Sequence, residues 1–121
     1  MQEDLRKRTK QFALRIIKLY LAVPQKGVGY VLGPHLLKAG TSVGAHYREA
    51  CRAKSNADFI SKIEGALQEL DETTYWLELL SEGGVVAPKR LVPLITEADE
   101  LIRIFVVMVK NVKLRRRTRN A

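Results

Sequence analysis

Apolar residues recur along this chain at helical spacing in four blocks. Leu5, Phe12, Ile16, Leu19 and Val23 mark one face of a first helix, with Thr9 filling the missing turn. That helix has about twenty residues and is roughly 30 Å long. Pro24 stops it. Gln25–Pro34, QKGVGYVLGP, then reads as a connector with three glycines and a closing proline. Its apolar Tyr30, Val31 and Leu32 are expected to pack over one end of the molecule.

Gly33-Pro34 can start a second helix, with Pro34 at the first helical position. The alternative start is near Thr41-Ser42, which leaves Gly40 in a turn. Leu36, Gly40, Val43, Tyr47 and Ala50 step by four, three, four and three, and Leu37, Gly44 and Cys51 run beside them. Much of this helix carries little side-chain bulk. Each interior glycine costs about 1 kcal/mol relative to alanine, and close approach of another helix is the usual offset.

Ser55-Asn56-Ala57-Asp58 is a capping box that opens a third helix with almost no loop before it. Ile60, Ile63, Leu67, Leu70, Thr74 and Leu77 form its three-four repeat, with Phe59, Ala66, Thr73 and Leu80 alongside. Gly83-Gly84 ends it. After a short connector, a fourth helix runs from Leu91 to Val112, with Pro93 in its first turn or at a kink. No strand pattern with hairpin turns is present. The pattern predicts an all-α, antiparallel up-down four-helix bundle over residues 1–114 and a basic tail over 115–121.

Length and composition fit one globular domain: 121 residues, 46% apolar and 28% charged. No run of 18 uninterrupted apolar residues is present, so a membrane association is not expected. The N-terminus lacks a signal-peptide core, and the one cysteine, Cys51, cannot form an internal disulfide. A reducing, cytoplasmic compartment is the expectation.

Charge is distributed unevenly within a net +8. Residues 1–23 hold six cations to two carboxylates and residues 24–54 five to one, whereas residues 55–82 hold one to seven. Residues 110–121 hold six cations and no carboxylate. In an up-down bundle three basic groups converge at one end. They are Arg6, Lys7, Arg8 and Lys10; Arg48, Arg52 and Lys54; and Arg115, Arg116, Arg117 and Arg119. That convergence favours a polyanion, RNA or DNA, over a merely solubilising surface. Glu64, Glu69, Asp71, Glu72 and Glu78 form either a solvated face or a partner for Arg48, Arg52 and Lys54 within the chain or across subunits.

Enzyme chemistry has little to rest on. A di-iron bundle needs Glu-x-x-His from two helices, and the only histidines, His35 and His46, do not supply it. His46-x-x-Glu49 is the reversed spacing. Gly27-Val28-Gly29 lacks a nucleotide-loop context, and no Ser/His/Asp or Cys/His arrangement is recognisable. Cys51 and Tyr75-Trp76 read as packing or subunit contact. The expectation is a chain that is not an enzyme and needs no cofactor or metal.

The stretch LLKAGTSVGAHYREACRAKSNADFISKIEGALQELDETTYWLELL resembles the bacterial four helix bundle protein family. That family includes proteins encoded in intervening sequences of large-subunit ribosomal RNA genes. The accessory variability determinant of diversity-generating retroelements looks structurally akin to it. The matching residues are Ser42, Ala45, Glu49, Ser55, Asp58 and Phe59, while His46 stands where the family pattern has asparagine. The resemblance implies a homopentameric ring of bundles with a basic surface, nucleic-acid association, and a protein partner such as a reverse transcriptase. With the small-residue face and the charge split, it places Gly40, Gly44, His46, Glu49 and Trp76 at the oligomer interface. The alternative is a structural protein-interaction module with no nucleic-acid role.

Overall fold

The computed structural model describes residues 2–120, with side chains through Arg117. Four helices follow in order: α1 Gln2–Ala22, α2 Gly27–Cys51, α3 Asn56–Glu82 and α4 Pro88–Asn120. Each packs on its neighbour in sequence, and α4 closes against α1 through a smaller contact. The fold is an all-α up-down bundle.

α1 buries Leu5, Thr9, Phe12, Ile16 and Leu19. Thr9 is tolerated in the core because its hydroxyl donates to the Leu5 carbonyl at 2.8 Å, so no polar group is stranded. Pro24 follows the helix end, where the Gln25 side chain donates through Nε2 to the Val23 carbonyl at 2.9 Å.

α2 departs from the sequence expectation. The expected connector at 25–34 is mostly helix: α2 begins at Gly27, and Pro34 lies in its third turn. Of the three glycines that suggested a loop, Gly27 takes a positive φ of 55° at the helix start and the other two are packing positions. Gly29 lies directly against the Pro24 carbonyl, and a Cβ on Gly33 would come 3.0 Å from the Tyr20 ring. Tertiary contact with α1 overrides local propensity here. Pro34 removes one backbone donor, and the carbonyl it leaves is that of Tyr30, an exposed residue in reach of water. Tyr30 and Val31 do not cover the bundle end; they are 65% and 58% exposed. Only Leu32 packs on the core.

Lower on α2, Gly40 and Gly44 let the two helices meet. A Cβ on Gly40 would lie 2.7 Å from Ile16 Cγ1, and one on Gly44 3.2 Å from Thr9 Oγ1. Leu36, Val43, Tyr47 and Ala50 fill the space between. Tyr47 stacks on Phe105 of α4, centroids 5.7 Å apart, across the core.

The capping box opens α3 as expected. Ser55 Oγ accepts from the Asp58 amide at 3.0 Å, and Asp58 Oδ2 accepts from the Lys54 amide at 3.2 Å. The buried stripe is Ile60, Ile63, Ala66, Leu70, Thr73, Leu77 and Leu80, a slight rotation from the expected one, with Leu67 and Thr74 half-buried. Gly84, at φ 75°, takes the left-handed conformation that ends the helix. The Val85 and Val86 amides then donate to the Leu80 carbonyl at 2.9 and 3.0 Å.

α4 starts on Pro88 and carries Pro93 in its second turn. Leu91, Leu94, Ala98, Leu101, Phe105, Val109 and Val112 face the core. The expected boundary after Leu114 is not a break in the backbone, because helix continues through Asn120. Among the described residues, no helix is long and apolar enough to cross a membrane.

Candidate nucleic-acid interface

Alternating helix direction brings the start of α1, the end of α2, the start of α3 and the end of α4 to one end. An open pocket of about 720 Å³ records this meeting: Gln2 of α1, Cys51 of α2, Lys54 and Ser55 of the turn, Asn56 and Phe59 of α3 and Arg115 of α4 all line it. Of the three basic groups read from the sequence, the second and third meet here through Lys54 and Arg115; the first lies further along α1, where Arg8 reaches Glu97 and Glu100 in the first half of α4.

They are not equally available. Lys7, Lys10, Arg48, Arg52, Lys54, Arg115, Arg116 and Arg117 are exposed, and Arg6 is half-buried. Arg8 is a correction. Its Nε and Nη2 donate to the two carboxylate oxygens of Glu97 at 3.1 and 2.7 Å, and Glu100 lies 3.7 Å away. The hydrogen bond to Glu97 raises its guanidinium pKa, so Arg8 works as a cross-link between α1 and α4. The Arg119 side chain lies outside the described residues.

The expected oligomer-interface residues also separate. Gly40 and Gly44 are buried against α1 of the same chain, so the close approach they serve is internal and they offer no surface. Glu49 is exposed and accepts from Lys62 Nζ at 3.0 Å. His46 is half-buried against Gly65, its Nε2 4.0 Å from Glu69 and its Nδ1 buried without a hydrogen-bond partner. Trp76 is half-buried and stacks on His35, centroids 4.7 Å apart, beside the 53%-exposed Tyr75.

The acidic helix makes its contacts elsewhere than expected. Glu69 meets His46, and Glu64 meets Lys113 of α4 at 3.6 Å. Burial raises the Glu69 carboxyl pKa, and the neighbouring Glu72 adds to the rise; Ser42 and His46 oppose it and lose. At the basic end, burial raises the Tyr47 phenol, with the Cys51 side chain contributing. Among the described residues, no group of three or more His, Cys, Asp or Glu side chains is placed to hold a metal ion.

Sequence reading missed the pocket itself. Phe59, Met108 and Val112 belong to three-four patterns that look like ordinary core, yet all three line the pocket. The signal was Phe59 sitting directly after the capping box, at the level where the basic groups converge.

A search of curated proteins finds no match. Among solved structures, the bundle matches a crystal structure of a protein of unknown function from the S23 ribosomal protein family of Bacteroides thetaiotaomicron. The TM-score is 0.80 at 33% identity, covering 87% of this chain and 97% of that one. Residues 2–106 match the family described as 23S rRNA-intervening sequence protein. The chain belongs to the 23S rRNA-intervening sequence protein family.

Proposed function

We propose that this protein is a non-enzymatic, homo-oligomeric bundle that associates with RNA or DNA through its basic end. The observation that carries the reading is the cluster at one end: Lys54 and Arg115 line the pocket there, and exposed Arg52, Arg116 and Arg117 adjoin them in sequence. These flexible cations suit phosphates, which supply affinity and position without reading sequence. Titration of a generic RNA at two salt concentrations tests it. Affinity that falls steeply with salt supports the reading; no binding at low salt overturns it.

The oligomer is proposed on different surfaces from the buried glycines. Tyr75 and Trp76 present an aromatic patch on the acidic α3, while α1 and the end of α4 are basic. Unlike surfaces meeting head to tail form a ring where the rotation between copies closes, and a five-membered ring is favoured by the family resemblance. The same acidic, aromatic face supports a second reading, a protein-interaction module whose partner carries a basic surface, such as a nucleic-acid enzyme. A cytoplasmic location accords with both readings.

A further inference from the structure

An open cavity lies at the basic end, and its lining is layered. Tyr47, Ala50 and Val112 form a buried floor, and Cys51, Ala53, Phe59 and Met108 half-buried walls. Gln2, Lys54, Ser55, Asn56 and Arg115 make an exposed rim with two cations and no carboxylate. At about 720 Å³ it falls within the range of pockets that hold small organic groups. Its polar floor group, the Tyr47 hydroxyl, donates to the Gln2 carbonyl over a long 3.3 Å and is readily diverted to another acceptor.

A single anion would need only the two rim cations. Here Arg48, Arg52, Arg116 and Arg117 extend the positive surface beyond the rim, which fits a chain of repeated negative charges. A polymer with regularly spaced anions and a flat, largely apolar group beside each one is a single-stranded nucleic acid. We propose that the cavity takes one unpaired nucleobase, with its flanking phosphates on Lys54 and Arg115. Phe59 offers the base an aromatic face, and Asn56 and Tyr47 offer hydrogen bonds to its edge. The inference rests on the nucleic-acid reading and sharpens it: phosphates give affinity, and the pocket gives preference for unpaired over duplex strands.

The test compares three probes of equal phosphate number at low salt: a single strand of about twelve nucleotides, the same backbone with every base removed, and a duplex. The native protein is expected to bind the base-bearing strand about tenfold more tightly than the abasic one. Two charge-neutral variants locate the effect. Phe59→Leu removes the aromatic face, and Ala53→Leu fills the cavity from the turn. Either one, folded by circular dichroism, should bring the base-bearing strand to the abasic affinity. Equal binding of base-bearing and abasic strands by the native protein overturns the pocket while leaving the electrostatic reading intact. So does a preference that survives both variants. Failure to bind any of the three probes overturns the nucleic-acid reading and the pocket with it.

Discussion

Arg8 and Glu97 form a two-pronged ion pair, 2.7 and 3.1 Å, that ties the first helix to the last. The contact between α1 and α4 is the slimmest in the ring of helices, so this pair sits where the bundle has least apolar packing to hold it closed. Arg8→Met should lower stability by about 1 kcal/mol, near the top of the range for a partly exposed pair. Glu97→Gln should cost a similar amount, and the double variant less than the two together. Denaturant melts of the three proteins check this. RNA affinity of Arg8→Met should keep its native salt slope, because this arginine is not free to meet a phosphate.

Gly40 and Gly44 should respond differently to the same methyl group. Gly40→Ala drives a Cβ to 2.7 Å from Ile16 Cγ1, a stiff β-branched side chain at zero exposure. The overpacking costs about 1–3 kcal/mol and outweighs the gain in helix propensity. Gly44→Ala meets Thr9 Oγ1 at 3.2 Å, where a few tenths of an ångström suffice. It should be close to neutral. Thermal melts of the two variants give the ranking, and equal melting temperatures would contradict it.

Glu69 sets a pH dependence whose sign follows from burial. Its folded pKa lies above the ordinary carboxylate value of 4.5, so the folded state holds the proton more tightly than the unfolded one. The favourable contribution is full below the unfolded pKa and is lost as pH rises through the folded one. Glu69→Gln should therefore raise the melting temperature at pH 8, where the buried carboxylate is charged in the native protein and the amide is not. The advantage should shrink towards pH 4. A variant less stable than native at pH 8 would contradict this.

Trp76 is half-buried, so Trp76→Ala should cost about 1–3 kcal/mol, less than a fully enclosed tryptophan. Cys51→Ala should keep the fold. Melting curves check both. If Trp76 also lies in a subunit contact, its variant shifts the mass seen by light scattering to that of a monomer at micromolar concentration.

Helix order, the capping box at Ser55 and the stop at Gly83-Gly84 were legible in the sequence because each rests on local chemistry. The start of α2 was not. Gly27, Gly29, Gly33 and Pro34 look like a loop, and the packing of Gly29 on the Val23-Pro24 turn and of Gly33 on Tyr20 of α1 is not visible in the local pattern. The meeting of Lys54 and Arg115 at one end followed from topology alone. The diversion of Arg8 did not, because it depends on the register that sets Glu97 and Glu100 opposite α1. For the same reason small residues suggested a subunit interface at Gly40 and Gly44, where the partner proves to be the chain's own first helix.

The central claim is that cations gathered at one end bind nucleic acid through phosphates. Its most direct test is the salt dependence of affinity for one generic single-stranded RNA, measured for the full chain and for a chain ending at Leu114. Removing Arg115, Arg116, Arg117 and Arg119 should leave the bundle folded and shift the slope of log affinity against log salt by about 0.7 for each arginine that meets a phosphate. The account predicts a steep slope for the full chain and a shallower one for the shortened chain. Identical affinities and slopes for the two proteins, or no binding by either at low salt, would contradict it.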